Sequence, residues 1–238
     1  MERHLAGPER VLFLSLRQTL QRLPVWIRIN AWGVALSLPI VSWPAAQAGL
    51  YQAVHDSLLD PFDQHLTVRA SFLKGFRQQF ARSLAIALIN LAVWVGGILA
   101  IIFWTTRPEY ALRFFAVVAI SVLFFWWLSQ VFIYPVLIEN PVASLLEIYR
   151  RTFHVVLARP AHALVFGLLS ATFGLIEVLL LGPSLLFIPT LSALVSIQGM
   201  WAITGDVIPD LFDPVEYAEG KAKKPITAKQ KNKNRESV

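Results

Sequence analysis

Four long stretches of the chain alternate with shorter, charged ones. Residues 84–105 and 114–138 contain no charged side chain. Residues 163–182 contain one acid, Glu177, and residues 184–204 contain none. A helix rises about 1.5 Å per residue, so about 20 apolar residues cross a hydrocarbon core of about 30 Å. The pattern therefore predicts four spanning helices. Gly182-Pro183 marks a turn between the last two, and the loop at 106–113 is short, so the four spans form two antiparallel hairpins.

The segment from Ile27 to Leu59 is apolar too, but Pro39 and Pro44 interrupt it. Each proline removes a backbone donor and clashes with the preceding turn. The prediction is a broken helix, read as two half-helices around Ser42-Trp43-Pro44 that enter and leave on one side. A single tilted span over 31–51 is the alternative. Basic residues separate the two. Five lie up to Arg28, four in 69–82, two in 106–113, three in 139–162 and seven in the tail. Re-entry gathers nineteen on the side of the N-terminus and leaves two opposite; a single pass divides them seven to fourteen. The positive-inside bias favours re-entry, with both termini cytoplasmic.

Breaking the helix frees carbonyls near Ala35 and Ile40, which need partners in a membrane. Asn90, Ser170 and Glu177 are the polar groups of the other spans placed to provide them. The elbow from Leu38 to Ala46 is therefore expected to pack on the inner faces of those helices.

Three shorter segments are amphipathic. Leu12, Leu16, Leu20 and Leu23 recur at helical spacing in 11–23, with Arg17 and Arg22 among them. Phe72, Phe76, Phe80 and Leu84 step by four in a helix expected at 66–82. Leu145, Tyr149, Phe153 and Val156 share a face over 141–157, opposite Arg150-Arg151. All three read as interfacial helices forming a cytoplasmic collar.

Composition agrees with this pattern. The chain has 238 residues, 56% apolar and 15% charged, against about 25% charged in ordinary soluble domains. The net charge of +6 resides in residues 221–238, which hold seven basic side chains and one acid, Glu236. The region 213–238 reads as a disordered basic cytoplasmic tail that can touch anionic lipid. No specific nucleic-acid partner is expected. With no cysteine, disulfides, thiolate metal sites and Cys nucleophiles are excluded.

Several residues point to a family. Asn30-Ala31-Trp32, Ser37 to Ala46 (SLPIVSWPAA), Ala48 to Tyr51 and Tyr134-Pro135-Val136 resemble the YesL-like family of bacterial integral membrane proteins. So does the spacing to Phe72, Phe76-Arg77 and Phe80. The resemblance covers about residues 10–212 and excludes the tail; Ser42 stands where the family more often has Thr. It implies a protein of the bacterial cytoplasmic membrane with no established activity, associated with sugar-uptake transporters. Subunits of such a transporter, the lipid bilayer and a second copy of the chain are the partners it suggests.

Glu177 is the ionisable residue deepest in a span. It shares a helical stripe with Gly167, Ser170 and Gly174, and Ser192, Ser196 and Gly199 make a matching stripe on the next span. Glu177 reads either as a protonated packing residue or as a proton- or substrate-linked site. Asn90 reads as an interhelical hydrogen-bonding residue. Phe124 to Trp127 cannot all face one way, so some must meet lipid. His55, Asp56, Asp60, Asp63 and His65 lack metal-ligand spacing, and Asp60-Pro61-Phe62-Asp63 reads as a turn and cap. No phosphate loop, dinucleotide fingerprint or nucleophile elbow is present, so no cofactor, metal or catalytic residue is expected. The expectation is an all-α polytopic membrane bundle: four full spans, a broken N-terminal hairpin with Pro39, Ser42 and Pro44 at its break, and interfacial helices. The expected function is a non-enzymatic accessory role in carbohydrate or solute uptake. The alternative is a small oligomeric transporter or channel with its site at the broken helix.

Overall fold

The computed structural model describes residues 7–59, 68–180 and 187–205. Its elements are helices, with no strand among the described residues: α1 (Pro8–Gln21), α2 (Leu23–Ser37), α3 (Trp43–Leu59), α4 (Val68–Thr105), α5 (Tyr110–Glu139), α6 (Leu145–Ala158), α7 (Pro160–Leu179) and α8 (Ile188–Thr204). The Gly182-Pro183 turn, Asp60, Asp63, His65 and the basic tail lie outside the described residues.

Among the described residues, three helices are long and apolar enough to cross a membrane: α4, α5 from Arg113 to Glu139, and α7. Their outer surfaces are apolar. Leu88, Leu91, Val95, Ile98, Leu99 and Ile102 of α4 are exposed, as are Phe114, Val117, Val118, Phe124 and Phe125 of α5. Soluble proteins rarely expose apolar surface on this scale, and a bilayer supplies the medium that accepts it. The chain is a helical membrane bundle.

The fourth apolar helix, α8, has 17 residues. From Leu191 to Ile203 every position is buried except Ser192, which is half-buried. A helix that is apolar on every side is stable where every side is covered. Helices α1, α3, α5 and α7 cover it.

Two elements expected separately, 66–82 and 84–105, form the single 38-residue helix α4. No proline interrupts Val68–Thr105, so the charges of its first half did not mark an end. That half pairs with α3 through two glycines. A Cβ at Gly75 would stand 2.9 Å from the Ala48 carbonyl oxygen, and one at Gly49 2.9 Å from that of Phe72. Arg69 lies over the Trp32 ring at 5.5 Å, tying α4 to α2. Farther along, Gly97 admits the Leu123 side chain of α5.

Helix α1 turns a mixed apolar and polar face to the bundle. Val11, Leu14, Ser15, Gln18 and Thr19 face inward, while Phe13, Leu16 and Leu20 are exposed. The reason is a hydrogen-bonded seam. Ser15 Oγ donates to Gln198 Oε1 at 3.0 Å, and Gln198 Nε2 donates to Gln18 Oε1 at 2.7 Å. Trp26 Nε1 of α2 donates to the Gln18 carbonyl at 3.0 Å. Polar groups of this kind face protein when the surroundings are lipid. Helix α6 is amphipathic, with Arg150-Arg151 exposed as expected; of the expected apolar face Val156 is buried and Leu145, Tyr149 and Phe153 half-buried, while Ile148, Thr152 and Val155 beside them are buried. Ser144 caps it by accepting from Glu147 N, and Arg151 pairs with Glu147 at 2.8 Å.

Candidate site at the helix break

The break falls earlier than expected. Helix α2 ends at Ser37, one turn of 3-10 helix covers Ile40–Ser42, and Pro44 stands at the second position of α3. Pro39 therefore terminates a helix, while Pro44 begins one, where its missing N–H is harmless.

The carbonyls of Leu36, Pro39 and Ile40 find partners within the elbow, that of Ile40 in the Trp43 N–H. The Ser42 hydroxyl lies 2.6 Å from the Leu36 carbonyl oxygen and 2.8 Å from that of Pro39. Ser42 N also donates to Pro39 O at 2.9 Å. With two prolines in the bend, two donors that would need partners do not exist. Asn90, one of the residues expected to serve the freed carbonyls, instead accepts from Trp126. The expected packing of the whole elbow is corrected: Leu38, Ile40, Val41 and Trp43 are exposed, Ile40 at 88%, whereas Pro44 to Ala46 are buried. The exposed apex is apolar, and Ser42 N–H and Oγ satisfy part of its backbone.

The elbow does meet Glu177. A cleft of about 330 Å³ lies between the two halves of the break and the facing ends of α7 and α8. Asn30, Gly33, Val34, Ser37 and Leu38 line it from the α2 side, Trp43, Ala46, Gln47 and Leu50 from α3, Glu177 from α7 and Pro189 from α8. Glu177 is half-buried and Asn30 is 1% exposed. Asn30, Gly33 and Ser37 recur at three- and four-residue steps, which puts them on one face of α2.

Asn90 and Ser170 are elsewhere. Asn90 Oδ1 accepts from Trp126 Nε1 at 3.1 Å, joining α4 to α5, and Trp126 stacks on Tyr149 of α6 at 5.2 Å. Asn90 is thus the interhelical residue the sequence suggested. Burial pushes the Tyr149 hydroxyl up to about 12. Ser170 is half-buried and does not line the cleft, and Gly174 faces open space. The stripe on α8 divides between neighbours. Gly199 faces the Phe166 ring of α7, which a Cβ there would approach to 3.1 Å, whereas Ser196 accepts from Tyr51 of α3 at 3.5 Å.

Tyr51 also stacks on Tyr134 of α5, ring centroids 5.3 Å apart, and the Tyr134 hydroxyl donates to the Pro44 carbonyl at 3.4 Å. The start of α3 is thereby held from α5. A second polar group sits at the other end of α3. Gln52 Nε2 donates to Asp56 Oδ1 at 2.7 Å, His55 Nδ1 lies 3.7 Å from the same oxygen, and Glu139 accepts from Trp201. Burial works to raise the Asp56 carboxyl. Hydrogen bonds from His55, Gln52 and Ser71 and the charge of Lys74 outweigh it and hold the group below the usual carboxylate range.

Sequence reasoning singled out Glu177 and the prolines but missed Asn30, Trp43 and Gln47 as cleft residues. The one signal was the repeat of small and polar residues along α2, from Asn30 through Gly33 to Ser37. No family model matches the chain, and neither does any curated protein or solved structure.

Proposed function

We propose that this chain is a non-enzymatic integral membrane protein that acts as an accessory component of solute uptake. Its resemblance to the YesL-like family implies carbohydrate as the solute class and the bacterial cytoplasmic membrane as its place. In the proposed topology α4, α5, α7 and α8 cross the bilayer, and α2 and α3 form a re-entrant hairpin with both termini cytoplasmic. The 17 residues of α8 fall at the short end of what a spanning helix needs.

The observation that carries the reading is the cleft at the break, where Glu177 joins Asn30, Ser37 and Gln47 in a setting of apolar helices. Irregular backbone at membrane depth characterises sites that handle solutes. The same cleft favours the second reading, a small oligomeric transporter or channel whose site is the broken helix.

A deletion strain separates these readings. The accessory role predicts reduced sugar uptake in that strain and recovery of transporter subunits with the affinity-purified chain. Unimpaired uptake with no transporter subunit recovered would refute it. The transporter reading predicts that the purified chain alone moves labelled solute into liposomes, and no movement removes it.

A further inference from the structure

We infer that a groove along the outer face of α5 holds one acyl chain of a phospholipid whose phosphate rests at Arg107, in the leaflet on the side of the loop at 106–109. Phe114, Val117, Val118, Ser121, Val122 and Phe125 line the groove and recur at three- and four-residue spacing, so they form one stripe of the helix. Trp126 and, from α6, Phe153 line its other end, their ring centroids 6.1 Å apart. The groove encloses about 420 Å³. Its polar groups are already bonded: Ser121 Oγ donates to the Val117 carbonyl at 2.9 Å, and Trp126 Nε1 donates to Asn90 Oδ1 at 3.1 Å. Such a wall has no hydrogen bond to offer a sugar or a polar peptide and suits a hydrocarbon chain.

Length and charge narrow the occupant. From Phe114 to Trp126 the helix rises about 18 Å, against about 15 Å for half of a hydrocarbon core of about 30 Å. The groove therefore follows one leaflet. A partner helix fits it less well, because helices are about 10 Å across and associate in lipid through small residues, whereas the stripe is Phe and Val apart from Ser121. Charge marks the mouth. Arg113 stands one turn before Val117 on the same stripe, and its Nε donates to the Arg107 carbonyl at 3.3 Å. The rings of Trp104 and Phe115, centroids 5.0 Å apart, hold the end of α4 against the start of α5. Arg107 is exposed, with its guanidinium 4.1 Å from the centre of the Phe103 ring. A guanidinium presents paired donors that match phosphate oxygens. Glu109, the acid of this loop, is outnumbered by the two arginines. This inference goes beyond the uptake reading and does not depend on it.

The test reconstitutes the full-length chain in phosphatidylcholine vesicles with a trace of photoactivatable phosphatidylglycerol. One probe carries a diazirine at the end of its acyl chain, the other beside the ester, and mass spectrometry maps the labelled residues. The chain-end probe labels Trp126 and Phe153 and the ester probe Phe114 and Val117, each at least fivefold above the exposed α4 positions Leu91 and Ile98. A diacylglycerol probe with the same chain but no phosphate labels the groove at least fivefold less. Arg107→Gln lowers phosphatidylglycerol labelling at least threefold. Val118→Trp, which fills the groove, lowers chain-end labelling at least fivefold, and Gly96→Ala, in open space on α4, changes nothing. Labelling no stronger than on α4, the two ends labelled in reverse order, equal labelling by the diacylglycerol probe, or undiminished labelling in Arg107→Gln or Val118→Trp overturns the inference. So does an unlabelled groove, the outcome when a second copy or a transporter helix covers it. If Val118→Trp does not fold, the positions labelled on the wild type and the diacylglycerol comparison decide the matter. Normal sugar uptake in a deletion strain strikes the uptake reading alone and leaves these labelling results standing.

Discussion

Gln198 of α8 and Gln18 of α1 meet side chain to side chain at 2.7 Å, both fully removed from solvent. Together with Ser15 they fasten an N-terminal helix by hydrogen bonds to the most deeply buried helix of the bundle. Gln198→Leu removes the partner of two buried groups at once. The expected loss is about 1–3 kcal/mol, the cost of leaving buried polar groups unsatisfied. Adding Gln18→Leu to that variant recovers part of it. Denaturation of the four chains of this cycle in detergent micelles measures the coupling, and additive losses would show that the pair does not interact.

Ser42 makes a comparable contribution to the elbow. Ser42→Ala leaves the Leu36 carbonyl without the hydroxyl it contacts and is expected to cost about 1 kcal/mol. Ser42→Thr keeps the hydroxyl and should preserve stability. Hydrogen exchange of the amides from Val41 to Gln47 reports the difference, and equal protection in both variants would argue against the capping role.

Two glycines of α4 are expected to respond oppositely to alanine. At Gly75 a Cβ meets the Ala48 carbonyl of α3, so Gly75→Ala should destabilise by about 1–3 kcal/mol. At Gly96 a Cβ meets nothing within 4 Å, and Gly96→Ala should stabilise by up to about 1 kcal/mol through helix propensity. Thermal midpoints of the two variants in one detergent compare them directly. A tolerated alanine at Gly75 would mean that α3 and α4 do not approach as closely as described.

Much of the helical layout was legible in the sequence because apolar runs and amphipathic steps have direct physical meanings. The three long apolar helices overlap the expected runs, and α6 buries Val156 and exposes Arg150-Arg151 as its spacing required. The continuity of α4 was not legible: Lys74, Arg77 and Arg82 suggested a surface segment, yet charge does not end a helix when backbone and packing allow it to continue. The leucine spacing of α1 located the face that is exposed, at Leu16 and Leu20. The bonds of Ser15 and Gln18 to Gln198 were not legible, because no spacing motif links residues so far apart in the chain.

The site was legible only in part. Pro39 and Pro44 announced a break, and Glu177 stood out as an acid within an apolar run. That Ser42 would satisfy the break locally depends on the 3-10 turn, which sequence periodicity does not encode. The convergence of Asn30, Trp43 and Gln47 on Glu177 joins an early helix pair to a late helix, with no spacing motif to link them.

The re-entrant course of α2 and α3 is the claim on which the proposed topology turns. Because the natural chain contains no cysteine, single cysteines can be introduced without background. They belong at Asp63, after the hairpin, at Glu147 and Lys229, and at Glu109, between α4 and α5. Impermeant thiol labelling from each side of the membrane should find Asp63 on the cytoplasmic side with Glu147 and Lys229, and Glu109 on the opposite side. Labelling of Asp63 from the side of Glu109 would contradict re-entry and establish a single crossing instead.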